Sequence, residues 1–144
     1  MIRTLGILLA VIFAILSFLH LFWAAGGRFG VSAAIPTAIS RGEPLFHPSS
    51  FGTVLIAATL FAAMLVVLGR LKIWGAFVPS WIFYSGMWVI TLLFILRTIG
   101  DFRYVGFFKN ITDTNFARWD TILFSPLCLL IAAIAFLISY YEVK

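Results

Sequence analysis

The sequence predicts an all-α membrane protein, a bundle of four transmembrane helices with two longer loops on one side. Three observations predict it. Of the 144 residues, 63% are hydrophobic and only 10% charged, against roughly 45–50% and about 25% in soluble domains. The mean hydropathy is +1.13. The charges are also gathered rather than dispersed. The stretches Arg3 to Arg28, Glu43 to Arg70, Lys72 to Arg97 and Asp120 to Glu142 carry charge only at their bounding residues. Each is long enough for the roughly 20 apolar residues that cross a hydrocarbon core about 30 Å thick.

That composition excludes a disordered tail, which needs low hydrophobicity and high charge. The runs do not alternate, so a closed β-barrel is excluded too. The length predicts one membrane domain over residues 1–144. The single cysteine, Cys128, excludes an internal disulfide and any paired-cysteine metal or redox motif.

The first helix is expected at about 4–25. It follows the basic start Met1-Ile2-Arg3, as a signal peptide would. Its apolar run is long for one, however, and Gly26-Gly27-Arg28 makes a poor cleavage site, so an uncleaved helix is expected. The second is expected at 51–69 and the third at 79–99, with Pro79 as its starter. The fourth is expected at 121–141, with Asp120, Thr114 and Asn115 as capping candidates. Trp23, Trp74, Trp81, Trp119, Tyr140 and Tyr141 fall near these ends, where amphipathic rings favour the headgroup level.

Four spans put the first connection, Gly26 to Ser50, on the same side as the third, Gly100 to Asp120. A short interfacial helix is expected at Val31 to Ile39. A plain count of basic residues puts these loops in the cytoplasm. Cations in a binding site are not topology signals, though, and Arg3 with the Arg70/Lys72 pair looks more like one. The expectation is that the termini are cytoplasmic.

For packing, the last helix offers the small-residue stripe Ser125, Cys128, Ala132, Ala135 and Ser139, at steps of three and four. The second offers Thr59, Ala62, Ala63 and Gly69. Tyr84, Trp88, Thr91 and Thr98 share one face of the third helix and read as interhelical packing. Pro126 either opens the last helix or kinks it and frees a carbonyl. Cys128 reads as packing, an inert thiol in apolar surroundings.

Candidate chemistry concentrates in one segment. Seven of the fifteen charged residues, ten basic and five acidic in all, lie between Arg97 and Asp120. Arg97 ends a long uncharged run, and a charge near the hydrocarbon seeks a partner. Asp101, four residues on, is the expected one if the helix continues. Arg103 and Lys109 stand among Phe102, Tyr104, Phe107 and Phe108, a mixture suited to the headgroup layer. His20 lies inside the first span on the same side of the membrane. An ionisable residue there is a functional candidate, against the alternative of a neutral ring bonded to a neighbouring helix. Histidine exchanges a proton near neutral pH, so His20 and Asp101 are the catalytic candidates if there is chemistry. His47 reads as an ordinary loop residue.

Three runs carry a resemblance. One is Arg97-Thr98-Ile99-Gly100-Asp101-Phe102-Arg103-Tyr104-Val105-Gly106-Phe107-Phe108-Lys109. The others are Phe116-Ala117-Arg118-Trp119-Asp120-Thr121 with Ser125-Pro126-Leu127-Cys128, and His20-Leu21-Phe22-Trp23-Ala24 with Gly26-Gly27. Together they resemble a bacterial family of small integral membrane proteins known as domain of unknown function three-nine-nine-five. The resemblance covers nearly the whole chain. It implies a four-helix protein of the bacterial inner membrane and no activity. Its marks fall on His20, Arg97, Asp101, Arg103, Lys109, Arg118 and Asp120, the expected ligand-binding set.

Three functions stay open on the residues. The leading one is binding of a membrane lipid or other amphiphile, its polar or anionic head against the Arg/Asp/His cluster. The second is a small isomerase-like intramembrane enzyme using acid/base chemistry on an apolar substrate. The third is an accessory subunit that lends helices to a homo-oligomer or a larger membrane complex. No spacing motif supports a metal or other cofactor, and none is expected. A basic excess in so apolar a chain points to anionic headgroups rather than nucleic acid.

Overall fold

A computed structural model describes residues 1–37 and 44–141; Arg41, which enters the charge count above, lies outside them. The described residues form six α-helices: α1 (Ile2–Ala24), α2 (Val31–Ala34), α3 (Ser50–Arg70), α4 (Ser80–Ile99), α5 (Asn115–Trp119) and α6 (Ser125–Tyr140). A π turn, Asp120–Phe124, joins α5 to α6 without a break. Counting α5 to α6 as one, four helices are long and apolar enough to cross a membrane. The protein is therefore an all-α, multi-pass membrane bundle.

Each boundary has a local cause. Ser49 caps α3, its side chain accepting from the Gly52 N–H at 3.0 Å. Pro79 precedes α4, as expected. The expected interfacial helix at 31–39 stops at Ala34. The cause is Pro36, which drives the residue before it out of the helical region; Ile35 has φ −107° and ψ 124°. The last span begins at Asn115, six residues before the expected 121. Its cap is Thr114, whose side chain accepts from the Ala117 N–H at 3.1 Å. Asp120 does not cap it.

The helices close a ring in which α1 packs mainly on α3 and α4 mainly on α6. The smaller α3–α4 and α1–α6 contacts complete it. Leu9 and Phe13 of α1, Val67 of α3, Met87 of α4 and Ile131 and Ile138 of α6 meet at the centre, all fully buried. Phe18, Leu92, Leu93 and Ile122 stay exposed. In lipid that exposure carries no hydrophobic cost, so close packing and buried hydrogen bonds hold the helices together. The α6 stripe does this as expected, with Ser125, Ala132, Ala135 and Ser139 all buried. On α3 the expected stripe is partly displaced, since Thr59 and Ala62 are exposed. Thr53 and Ala57 take the close contact instead, and Ser17 of α1 donates to the Ala57 carbonyl at 2.8 Å. The α4 face also divides, with Thr91 and Thr98 buried but Tyr84 and Trp88 exposed.

Helices α2 and α5 touch, and the Asn115 side chain donates to the Ser32 carbonyl at 3.4 Å. The two long connections thus share one side, where the polar residues gather.

Candidate functional site

The site is built around a carboxylate inside a helix. Pro126 has no N–H to give, and just before it the hydrogen bonding shifts to the wider π pattern, with the Ser125 N–H donating to the Asp120 carbonyl. Such one-turn bulges re-aim side chains and are common at functional sites. Here Asp120 is turned fully inward. Its Oδ1 accepts from Arg97 Nη2 at 2.8 Å. Its Oδ2 accepts from the Gly106 N–H at 2.9 Å, Lys109 Nζ at 3.0 Å and Ser125 Oγ at 3.1 Å. Burying a carboxylate this completely is tolerable only with such partners.

Lys109 is consumed by the same knot. Its side chain is 3% exposed, and Nζ also donates to the Gly106 carbonyl at 3.0 Å and Thr121 Oγ1 at 2.7 Å. Arg97 is only partly consumed, with a side chain 33% exposed. Its Nη1 is buried without a hydrogen-bond partner. Two cations therefore share one carboxylate, and among the described residues no other acidic side chain is paired with either.

The segment between them is a tight loop, and it explains the Gly-Asp-Phe-Arg-Tyr-Val-Gly run. Gly100 ends α4 at φ 91°, so the expected Arg97–Asp101 pair does not form. Asp101 Oδ1 instead accepts from the N–H groups of Arg103 (2.9 Å), Tyr104 (2.7 Å) and Val105 (2.9 Å). Burial alone would raise the Asp101 carboxyl. The hydrogen bonds from Val105, Arg103 and Tyr104 outweigh it and hold the group below the usual carboxylate value. Gly106 returns at φ 89°. A Cβ on Gly100 would strike the Val105 carbonyl, and one on Gly106 the Ile99 carbonyl. The crossing backbones therefore require glycine at both ends, and they bring the Gly106 N–H to Asp120.

His20 is held by its own helix, α1. Its Nδ1 bonds the Leu16 carbonyl of its own helix at 2.8 Å, not a neighbouring helix as the alternative reading supposed. The ring meets Trp23 edge-on at 5.0 Å, and Trp23 Nε1 donates to the Phe29 carbonyl at 2.7 Å. His20 and Arg97 line one cavity of about 240 Å³, along with Phe94, Phe124, Leu127 and the half-buried Cys128.

The expected set thus divides. Arg97, Lys109 and Asp120 form the knot, and His20 lines the cavity that Arg97 also lines. Asp101 organises the loop. Arg103 is exposed over the Tyr104 ring, 5.3 Å from its centroid, and Arg118 is exposed. Sequence reasoning passed over Gly106, Thr121 and Ser125 as partners of the knot, and Phe124 and Leu127 as cavity walls. Pro126 six residues after an aspartate was the available signal for the π turn.

Comparison with protein families matches residues 13–135 to the family described as a protein of unknown function, DUF3995. Neither the curated proteins nor the solved structures gave a match. The match spans most of the sequence, and the chain belongs to this family.

Proposed function

We propose that this member of the family binds an anionic membrane lipid, its headgroup against Arg97 and its chains along the apolar walls of the cavity that Arg97 shares with His20. The observation that carries this reading is the unequal charge of the knot. Arg97 and Lys109 bring two positive charges to the single charge of Asp120, and Arg97 lines a cavity at the long-loop end of the helices. A buried donor left unmade costs about 1–3 kcal/mol. A lipid phosphate supplies the missing charge and, with a small turn of the guanidinium, an acceptor for Nη1.

Of the expected binding set, Arg97 and His20 contact the ligand in this reading. Lys109 and Asp120 hold Arg97 in place, while Asp101, Arg103 and Arg118 shape and charge the rim. The membrane is the bacterial inner membrane, with the termini cytoplasmic. The orientation is supported by the fate of Lys109, which is bound to Asp120 and so is not a free topology charge. An alkaline phosphatase domain fused after Lys144 is expected to be inactive, and an active fusion would reverse the orientation.

The binding test is native mass spectrometry of protein purified in mild detergent. Wild type is expected to retain a defined lipid mass that Arg97→Gln loses. Arg97→Gln keeps the one-to-one Lys109–Asp120 pair and is expected to stay folded. Equal retention by both forms, or none by wild type, overturns the reading.

A further inference from the structure

His20 has one ring nitrogen whose role the geometry decides. A carbonyl oxygen only accepts, so the 2.8 Å contact to Leu16 makes Nδ1 the protonated nitrogen. In the neutral ring Nε2 is then a bare acceptor, and no described residue donates to it. With Nδ1 turned back to its own helix, Nε2 is directed away from it. The ring cannot easily reorient, because Leu16 fixes one edge, Trp23 packs against it at 5.0 Å, and Phe29 pins Trp23.

The location of this acceptor matters more than its chemistry alone. His20 lines the 240 Å³ cavity of Arg97 and also a second cavity of about 300 Å³ between α1, α2 and the start of α3. Trp23 and Ala34 are likewise common to both. Thr53, Phe46 and Arg28 line the second chamber. The two chambers therefore share the residue that carries this acceptor, with an arginine in the lining of each. Thr53 cannot serve as the donor His20 lacks, since its hydroxyl is given to the Ser49 carbonyl at 3.0 Å.

We infer that His20 selects the ligand: its Nε2 accepts a hydrogen bond from a hydroxyl carried next to the anionic group that Arg97 holds, so the preferred lipid is a phosphodiester with a hydroxylated headgroup. This rests on the lipid-binding reading above and adds a specificity to it. A site built around an acceptor discriminates against an analogue lacking the donor, because the acceptor is then left unpaired.

The test compares two lipids of equal charge, phosphatidylglycerol and phosphatidylmethanol. Both are phosphodiesters, but only the first has headgroup hydroxyls. Retention is measured by native mass spectrometry on wild type, His20→Phe, His20→Leu and Arg97→Gln. Wild type is expected to favour phosphatidylglycerol about three- to tenfold, the range of one net hydrogen bond. Both His20 variants are expected to show no preference between the two lipids, whatever their overall affinity. Their helical circular dichroism, measured alongside, reports that they fold. Equal binding of the two lipids by wild type, or a preference that survives in a His20 variant, overturns the inference and leaves the lipid-binding reading standing. Binding of neither lipid by wild type overturns both. Glycerol phosphate in excess is expected not to displace phosphatidylglycerol, because the apolar walls hold the chains. Displacement by it would assign the site to a soluble anion and overturn the lipid claim.

Discussion

The two ends of the bundle handle positive charge in opposite ways. At the long-loop end, Arg97 and Lys109 are drawn into the protein by Asp120, with backbone and hydroxyl groups completing the shell. At the short-connection end there is no acidic side chain among the described residues. Arg70 lies over the Tyr84 ring, 5.6 Å from its centroid, and donates to the Tyr141 carbonyl at a long 3.4 Å. Lys72 is exposed in the turn. Aromatic rings, a distant carbonyl and the headgroup layer suffice to anchor a cation at a membrane surface. A buried carboxylate with four donors is a larger investment in position. Among the described residues, the cavity of about 380 Å³ at the short-connection end is lined by the exposed Lys72 and by no arginine or acidic side chain. The long-loop end sets an arginine held by a carboxylate in a cavity lining, and that contrast marks it as the functional end.

The most severe way to break the contrast is Asp120→Ala. It leaves two cations at a buried site with no counter-charge, and is expected to cost about 3–5 kcal/mol. The check is the unfolding midpoint in detergent. Arg97→Gln should cost clearly less, since Lys109 still balances Asp120. Gly106→Ala comes next. It forces a side chain into a positive-φ position already occupied by the Ile99 carbonyl, at an expected cost of about 1–3 kcal/mol by the same measurement. At the other end, Arg70→Ala removes a cation–π contact made by a partly buried arginine with no carboxylate partner among the described residues, and should cost only about 0.5–1 kcal/mol. A loss as large as that of Asp120→Ala would erase the distinction between the ends.

Acid sharpens the comparison most gently. Asp101 is held below its ordinary value in the folded loop. Its contribution is therefore whole above the unfolded value, roughly 3.9, and is lost as pH falls through that value toward the lower folded one. The amide signals of Arg103, Tyr104 and Val105 should move together below about pH 4. In Asp101→Asn they should be displaced already at neutral pH.

The four spans were legible because a charge-free run of sufficient length has few other uses. The same logic misplaced the start of the last one. Asp120 reads as the polar boundary of a helix only if a charge must lie outside it; matched by Lys109 and Arg97, it lies within. The Arg97–Asp101 pairing failed for a local reason. Spacing by four implies contact only while the helix continues, and Gly100 ends it. Arg97 and His20 could be picked out singly from their depth in apolar runs. That they line one cavity could not, because it depends on how α1 meets α4 and α6. The roles of Gly106 and Ser125 were hidden as well, since one acts through a backbone N–H and the other reaches Asp120 only across the π turn.

Cys128, the only cysteine in the chain, lines the cavity with Arg97 and His20, and so reports directly on whether lipid occupies it. The measurement is the rate at which a small thiol reagent modifies it in detergent, with and without added phosphatidylglycerol. If the surplus charge at Arg97 holds an anionic lipid there, phosphatidylglycerol slows the reaction in wild type, phosphatidylcholine does not, and Arg97→Gln is indifferent to both. Equal rates in wild type with the two lipids, or the same protection in Arg97→Gln, would contradict it.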